Sequence, residues 1–478
     1  MELKIFVNRA TLVVALCLIE SCATNPATGQ NEISLVSESQ EIEMGKEAAA
    51  QVPLATPYYP DDAVQRYVSQ IGHKLAAAGE RPGLPWEFHV VDDPGVNAFA
   101  LPGGFIFVTR GLLTDMNSEA ELATVIGHET GHVTARHSAR QITRQEIAQV
   151  GLVAGSLASK TFSQYAGVAQ QGLQLLFLSY SRGDESQADM LGFRYALKTK
   201  YDVRAMKDVF ITLDGVTQAA GGSKVPDWQS THPAPADRIQ ATEQRLAETK
   251  VNFDSLYVGR EVYLKIIDGM IYGANPREGY FVGPVFYHPD FRFQFTFPDG
   301  WPTQNQASGV MGISSGQDAM VQISLAQGTP DSAARAAFAG QGITATPLTR
   351  ESIGGQPAVS GDFQQTSEQG VVRGRASFVS YGGKTYALVG YTSADKWPQY
   401  QNLLRSALGS FRPVTDPAVL NVQPKRLKIE KLTRPTTLSE LQRSSPSAVS
   451  LAELCLINRV DSSTTMPAGR MVKRVVGR

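Results

Sequence analysis

The sequence predicts an α+β protein: a mainly helical domain with a small edge-strand sheet, followed by a sheet-rich domain and a small β-α-α-β module. Three observations carry this. Apolar residues keep helical spacing within residues 37–283, as in Val64, Tyr67, Val68, Ile71 and Leu75. Beyond Pro284 the texture changes, and Phe291, Phe293, Phe295 and Phe297 alternate with the period of a strand. Residues 422–478 then read strand, helix, helix, strand. A chain of 478 residues has room for about three domains.

Taken in order, Lys4 and Arg9 flank an apolar run over 10–19 that ends at Ser21 and Cys22. A basic start, about ten apolar residues and a small residue at the cut make 1–21 a signal peptide. The run is shorter than the roughly 20 residues needed to cross a bilayer. Ile19-Glu20-Ser21-Cys22 resembles a bacterial lipobox, in which the Cys is lipidated, although Glu20 stands where a small or apolar residue is usual. On that reading 22–36 is a polar tether and the protein is periplasmic, anchored to the outer membrane through lipidated Cys22 and held to the membrane by that lipid alone. The alternative is an ordinary cleaved signal with a chance Cys.

Ser37 and Gln40 form a capping box for a helix to about Val52, and a second helix starts at Asp61. Short strands follow at Glu87 and at Phe105. Ser118 and Glu121 cap the helix that carries His128, His132 and His137. The small-residue stretch 147–159 is either a lid or a packed connection. Helices are expected over 184–198 and from Ala236 to near Lys250, closing the 37–283 domain. In the sheet-rich domain, 288–412, strands recur at 321–325, 371–381 and 386–391, with a helix over 397–408. Its aromatic strand face is either a partner surface or core. Residues 413–421 are a linker.

Composition narrows the chemistry. Net charge is −1, so nothing in the whole-chain balance calls for nucleic acid. The three Cys, at 17, 22 and 455, are too far apart for a CxxC or a Cys-based metal cluster. Of seven His, three fall within ten residues. His128-Glu129-Thr130-Gly131-His132 is an HExxH sequence. On a helix, residues four apart share a face, so both imidazoles reach one zinc ion. Glu129 projects about 100° round, where it can take a proton from a metal-activated water. A catalytic zinc takes three protein ligands, and Glu185 on a following helix can supply the third, a solvated acid in the first turn of that helix being the alternative. Asp189, one turn on, can accept a hydrogen bond from a ligand imidazole.

These residues, His128-Glu129-x-Gly131-His132 and then Glu185-x-x-Ala188-Asp189, resemble the CAAX-prenyl-protease type of zinc metallopeptidase, a gluzincin family. Asn97-Ala98-Phe99-Ala100-Leu101-Pro102-Gly103-Gly104 is similar to that family's strand before the zinc helix. Thr231-His232-Pro233 with Arg238 is similar to a later His motif. Thr130 stands in place of the usual aliphatic residue. The resemblance implies one Zn²⁺ held by His128, His132 and Glu185, with Glu129 as general base and then proton donor. It implies that Asn97, Ala98, Phe99 and Ala100 form an edge strand that pairs with unfolded or flexible polypeptide. It gives His232 as donor to the oxyanion; a turn residue and a plug on the metal are the alternatives. Arg238 binds either a substrate carboxylate or Asp189. Arg136 shares the face of His132, and His137 faces elsewhere, either as a partner behind a ligand or on the surface.

The basic segment 422–478 carries eleven Lys and Arg against four Asp and Glu. Its element order resembles a LysM module, implying contact with peptidoglycan; a non-specific basic tail is the alternative. The expected activity is zinc-dependent endoproteolysis. The resemblance implies a role in quality control of unfolded or misassembled envelope proteins. A chaperone-like peptide binder with a closed, rarely active zinc site is the other reading.

Overall fold

The computed structural model describes residues 22–477 except 30, 145–179, 220–227, 229–231, 233–234, 307 and 368–369. The signal stretch 1–21 and the stretch 147–159 lie outside the described residues. The chain forms two units: one holds the chain up to Gly273 together with Arg426–Val476, the other Ala274–Lys425.

In the first unit, β1 (Cys22–Thr24) pairs with β2 (Asn31–Ile33), Cys22 opposite Ile33. Helix α1 (Glu38–Ala55) opens on the expected Ser37–Gln40 capping box. Asp61 caps α2 (Asp62–Ala76), accepting from Ala63 and Val64 N–H. The buried face of α2 is Val64, Val68, Ile71 and Leu75, the run whose spacing marked the helix. Strands β3 (Glu87–Val91), β4 (Ala98–Leu101) and β5 (Phe105–Thr109) make one sheet in the order β3-β5-β4. Central β5 is buried along its whole length, while β4 is an edge, paired only on its β5 side among the described residues. Helices α3 (Arg110–Asp115), α4 (Glu119–Thr134), α5 (Arg182–Lys198), α6 (Ala205–Ala219), α7 (Pro235–Glu248) and α8 (Arg260–Ile266) follow. The sequence pattern did not announce α6 or α8.

Helices α4 and α5 approach closely because glycines face each other. A Cβ on Gly192 would lie 2.7 Å from His128 N, and one on Gly131 would lie 3.0 Å from Ala188 O. Fully buried Leu122, Ile126 and Leu191 seal the contact region, each worth roughly 1.5–3 kcal/mol of burial.

The second unit is sheet-rich, as the alternation predicts. Strands β6 (Tyr280–Val282), β7 (Val285–His288) and β8 (Phe293–Thr296) form a four-stranded antiparallel sheet with Arg412–Pro413. Strands β9 (Thr303–Gln306), β10 (Gly309–Ile313), β11 (Ala319–Ala326), β12 (Ile343–Ala345), β13 (Thr349–Ile353), β14 (Gln356–Ser367), β15 (Gly370–Tyr381) and β16 (Lys384–Ser393) form an eight-stranded one. Helices α9 (Pro330–Phe338) and α10 (Trp397–Leu408) accompany them. Phe286, Phe293, Phe295 and Phe297 are buried with Trp397, Leu404 and Phe411. Phe293, Phe295 and Phe297 of the aromatic row are core, and Phe291 is half-buried against them.

The last segment has the expected order: β17 (Arg426–Lys431), α11 (Leu438–Ser444), α12 (Leu451–Asn458) and β18 (Met471–Val476). Its apolar side belongs to the first unit's core, where Leu427, Leu438, Leu454, Ile457, Val472 and Val475 join Leu112 and Leu122. Its basic residues are partly internal. Lys473 is fully buried and donates to the carbonyls of Thr114, Asp115 and Met116 at 2.8, 3.1 and 2.7 Å. Arg459 reaches Glu121 on α4 at 2.8 Å and Asp208 on α6 at 3.2 Å.

Candidate metal centre

The histidine helix α4 starts at Ser118, whose hydroxyl accepts from Glu121 N–H at 3.2 Å. The Glu121 carboxylate takes the Asn117 N–H, at 2.8 Å, instead of closing the box on Ser118. Thr130, the departure from the aliphatic pattern, is buried and donates to the Ile126 carbonyl at 2.7 Å. Its hydroxyl is therefore satisfied without disturbing the helix.

Ligand atoms of His128, His132, Glu185 and His232 lie within 4.8 Å of one another, and all four residues are buried. His128 and His132 come from one face of α4, their Nε2 atoms 2.9 Å apart. Glu185 comes from the first turn of α5, which Ser181 and Asp184 cap reciprocally. Its oxygens lie 3.4 Å from His132 Nε2 and 3.5 Å from His128 Nε2. His232 Nδ1 is 2.8 Å from Glu185 Oε1, and its Nε2 is 3.8 Å from Glu129. Thr231 and Pro233, its partners in the expected motif, lie outside the described residues.

The donor set fits a zinc ion. His128 Nδ1 faces Asp189 Oδ1 at 2.9 Å. A carboxylate only accepts, so Nδ1 carries the proton and Nε2 offers a lone pair. Glu185 Oε2 is buried and makes no hydrogen bond among the described residues, its nearest cation being the Arg238 guanidinium at 3.4 Å. Buried acceptors without donors are costly unless a cation satisfies them. Two imidazoles and a carboxylate are also the ligand chemistry that zinc takes in hydrolytic sites.

The electrostatics follow from burial and neighbours. Burial drives the His128 and His132 imidazoles below their ordinary pKa, which keeps them in the neutral, ligating form. Burial also opposes ionisation of Glu185, but His232 and His132 outweigh it and hold the carboxyl well below its usual range. Asp189 is likewise held low against burial by Arg238 and His128. Glu129 moves the other way: burial pushes its carboxyl up, with His232 and His132 opposing only in part.

Arg238, on α7, is bound to Asp189 and also lies 3.4 Å from Glu185 Oε2. It donates to both Asp189 oxygens at 2.9 and 2.6 Å and lies over the Phe210 ring at 4.3 Å. One expectation is corrected. Arg136 leaves the site, taking a left-handed φ of 57° and bonding Glu41 and the Val36 carbonyl. That turn swings His137 back, so that its Nδ1 lies 2.8 Å from His132 Nδ1, behind the ligand rather than on the surface. Sequence reasoning also missed Tyr180, stacked on the His132 ring at 4.0 Å, and the wall of α6. Met206, Val209, Phe210 and Leu213 line an apolar pocket beside His128 and Glu129.

Asn97 and Ala98 line the same pocket. Ala100 shares the inward face of β4 with Ala98, whereas Phe99 points to the other side and stacks on Phe107. Asn97 N–H donates to Thr109 Oγ1 at 3.0 Å, and its Oδ1 is buried with no hydrogen-bond partner among the described residues.

Comparison with known proteins agrees with this geometry. Residues 62–246 match the model of Peptidase family M48. The chain is 32% identical over 262 residues to the putative beta-barrel assembly-enhancing protease of Vibrio cholerae, covering 51% of this chain and 53% of that one. It is 28% identical over 252 residues to the beta-barrel assembly-enhancing protease of Escherichia coli, covering 49% and 51%. It is 34% identical over 235 residues to the mitochondrial metalloendopeptidase OMA1 of Schizosaccharomyces pombe, covering 47% and 67%. The chain thus spans about half the length of the bacterial relatives. The matched span holds the histidine helix, Glu185, His232 and Arg238 together, and the chain belongs to Peptidase family M48.

Proposed function

We propose that this chain is a zinc-dependent endopeptidase acting on unfolded or misassembled polypeptides of the cell envelope. The observation that carries it is the buried convergence of His128, His132 and Glu185 with Glu129 beside them. His128, His132 and Glu185 would hold one Zn²⁺, which when bound supplies a Lewis acid that polarises the scissile carbonyl and acidifies water. Glu129, its carboxyl raised by burial, takes the proton of the attacking water and delivers it to the leaving amine. Asp189, clamped by Arg238, orients His128. The free edge of β4 offers backbone groups to an extended substrate, and the apolar pocket beside it takes a substrate side chain. That mode reads little sequence, which suits unfolded segments.

Hydrolysis of casein with bound zinc quantified, in wild type and Glu129→Gln, tests the reading. One zinc in both and turnover only in the wild type supports it. The second reading, a peptide binder with a closed site, draws on His232 Nδ1 lying 2.8 Å from Glu185 inside the cluster. His232→Ala raises turnover if His232 plugs the metal and lowers it if His232 donates to the oxyanion. Zinc without turnover in every variant favours the binder.

The finer placement is also a proposal: a periplasmic lipoprotein, with 1–21 as signal and Cys22 acylated. Loss of lipid labelling in Cys22→Ala tests it. Glycan contact by 422–478 draws on its element order and on exposed Lys428, Lys431 and Arg434. Equal retention on peptidoglycan by Lys428→Glu/Lys431→Glu/Arg434→Glu and by wild type would count against it.

A further inference from the structure

His128 and His132 are held by different chemistry on their outer sides. His128 Nδ1 faces the Asp189 carboxylate. His132 Nδ1 instead faces another imidazole, His137 Nδ1, at 2.8 Å, and His137 Nε2 in turn lies 3.0 Å from Gln187 Oε1. We propose that His137, backed by Gln187, is a positioning residue that holds His132 in the one tautomer able to present Nε2 to a metal. The inference rests on the zinc-peptidase reading above.

The proton positions follow from the outer end inward. The Gln187 oxygen can only accept, and the Asp184 carboxylate, 3.9 Å from the same His137 nitrogen, also favours a proton there. His137 Nε2 therefore carries the hydrogen, and a neutral ring then has a bare Nδ1. A bare Nδ1 accepts, so the proton between the two rings belongs to His132. His132 Nε2 is left as a lone pair, pointing toward the lone pair of His128 Nε2 at 2.9 Å. Two facing lone pairs at that distance call for a cation between them. The opposite proton order would set a bare His137 Nε2 against two acceptors.

The arrangement exists because α4 ends at Thr134 and Arg136 adopts a left-handed conformation. Bonds from Arg136 to Glu41 and to the Val36 carbonyl hold that conformation in a residue other than glycine. His137 then lies against its neighbour five positions back, which a continuous helix forbids. Tyr180 closes the open face of the His132 ring and bonds Ser138 at 2.9 Å. Glu129, Glu185 and Asp189 already bring three carboxylates to the site. An imidazole partner orients His132 without adding a fourth.

The test measures zinc affinity by chelator competition, with imidazole ¹⁵N spectra of the zinc-loaded protein. His137→Leu removes the acceptor and is expected to weaken zinc binding about 10–100-fold. His137→Gln, whose amide oxygen accepts the same N–H, is expected to stay within about threefold of wild type. Gln187→Leu frees His137 to turn, and a loss of about 3–10-fold is expected. The His132 Nδ1–H resonance should persist in wild type and in His137→Gln and vanish in His137→Leu. If His137→Leu does not fold, the other two variants carry the test. Zinc affinity at the wild-type level in Gln187→Leu or His137→Leu overturns the proposal, as does His137→Gln binding no better than His137→Leu. A wild type that holds no zinc overturns the underlying peptidase reading, and this proposal with it.

Discussion

Lys473→Met isolates the attachment of the C-terminal segment to the helical unit. The ammonium is fully buried and donates to three carbonyls that close helix α3. Methionine keeps the stem and most of the volume, so the change removes charge and donors rather than packing. Each hydrogen bond to a charged group is worth about 1.5–3 kcal/mol. Against this stands the cost of burying an ammonium, several kcal/mol. The balance is a destabilisation of about 2–4 kcal/mol, because the carbonyls stay buried without their donor. At a urea slope of about 3 kcal/mol per molar, the midpoint falls by about 1 M. Burial presses the Lys473 ammonium below the ordinary lysine pKa, with Asp115 opposing. A group depressed in the folded state gives stability that is complete above the unfolded pKa and declines as pH falls toward the folded one. The gap between wild type and variant should therefore widen from neutral pH toward pH 10. Urea unfolding of the full chain, followed by tryptophan fluorescence at several pH values, measures both effects. A midpoint within about 0.3 M of wild type at every pH would refute the reasoning. It would mean that the segment does not share the cooperative core of the first unit.

Three further outcomes follow from particular contacts. Gly192→Ala places a Cβ 2.7 Å from His128 N; it should push α5 off α4 at about 1–3 kcal/mol and reduce zinc content measurably by atomic absorption. Arg238→Met leaves Asp189 without its guanidinium, and the cost should be about 3–5 kcal/mol. Because the folded Asp189 carboxyl is depressed, its contribution is present above about pH 4 and lost as pH falls. In the variant, acid unfolding followed by circular dichroism should therefore begin at a higher pH than in wild type. In the second unit, His288 Nδ1 accepts the Phe291 N–H at 3.3 Å, and burial lowers the imidazole pKa to about 4. Its contribution is complete above about pH 6.5 and falls away as pH drops toward about 4. Calorimetry of His288→Phe should show a flatter thermal midpoint over that window than wild type.

Local signals were legible wherever one residue type at one spacing forces the chemistry. The capping residues Ser37, Asp61 and Ser118 and the apolar stripe of α2 mark helices because backbone donors and buried faces are local requirements. His128 and His132 were legible for the same reason, since a four-residue step on a helix brings two imidazoles to one side. Helix α6 was not, although Met206, Val209, Phe210 and Leu213 form one wall of the pocket. An apolar stripe reads as core until a cavity is known to lie against it.

The sequence by itself determined the α+β class, the histidine helix and the pairing of Glu185 with Asp189 on the next helix. Each of these is a periodicity or a short spacing. Tertiary structure alone decided three other things. Gly127, Gly131 and Gly192 bring α4 and α5 close enough for Glu185 to reach the histidines. The left-handed Arg136 turns His137 onto His132. The C-terminal segment, which reads as a free basic module, buries Lys473 and ties Arg459 across α4 and α6. In all three the partners are far apart in sequence or lie across a change of backbone direction, so no local pattern records them.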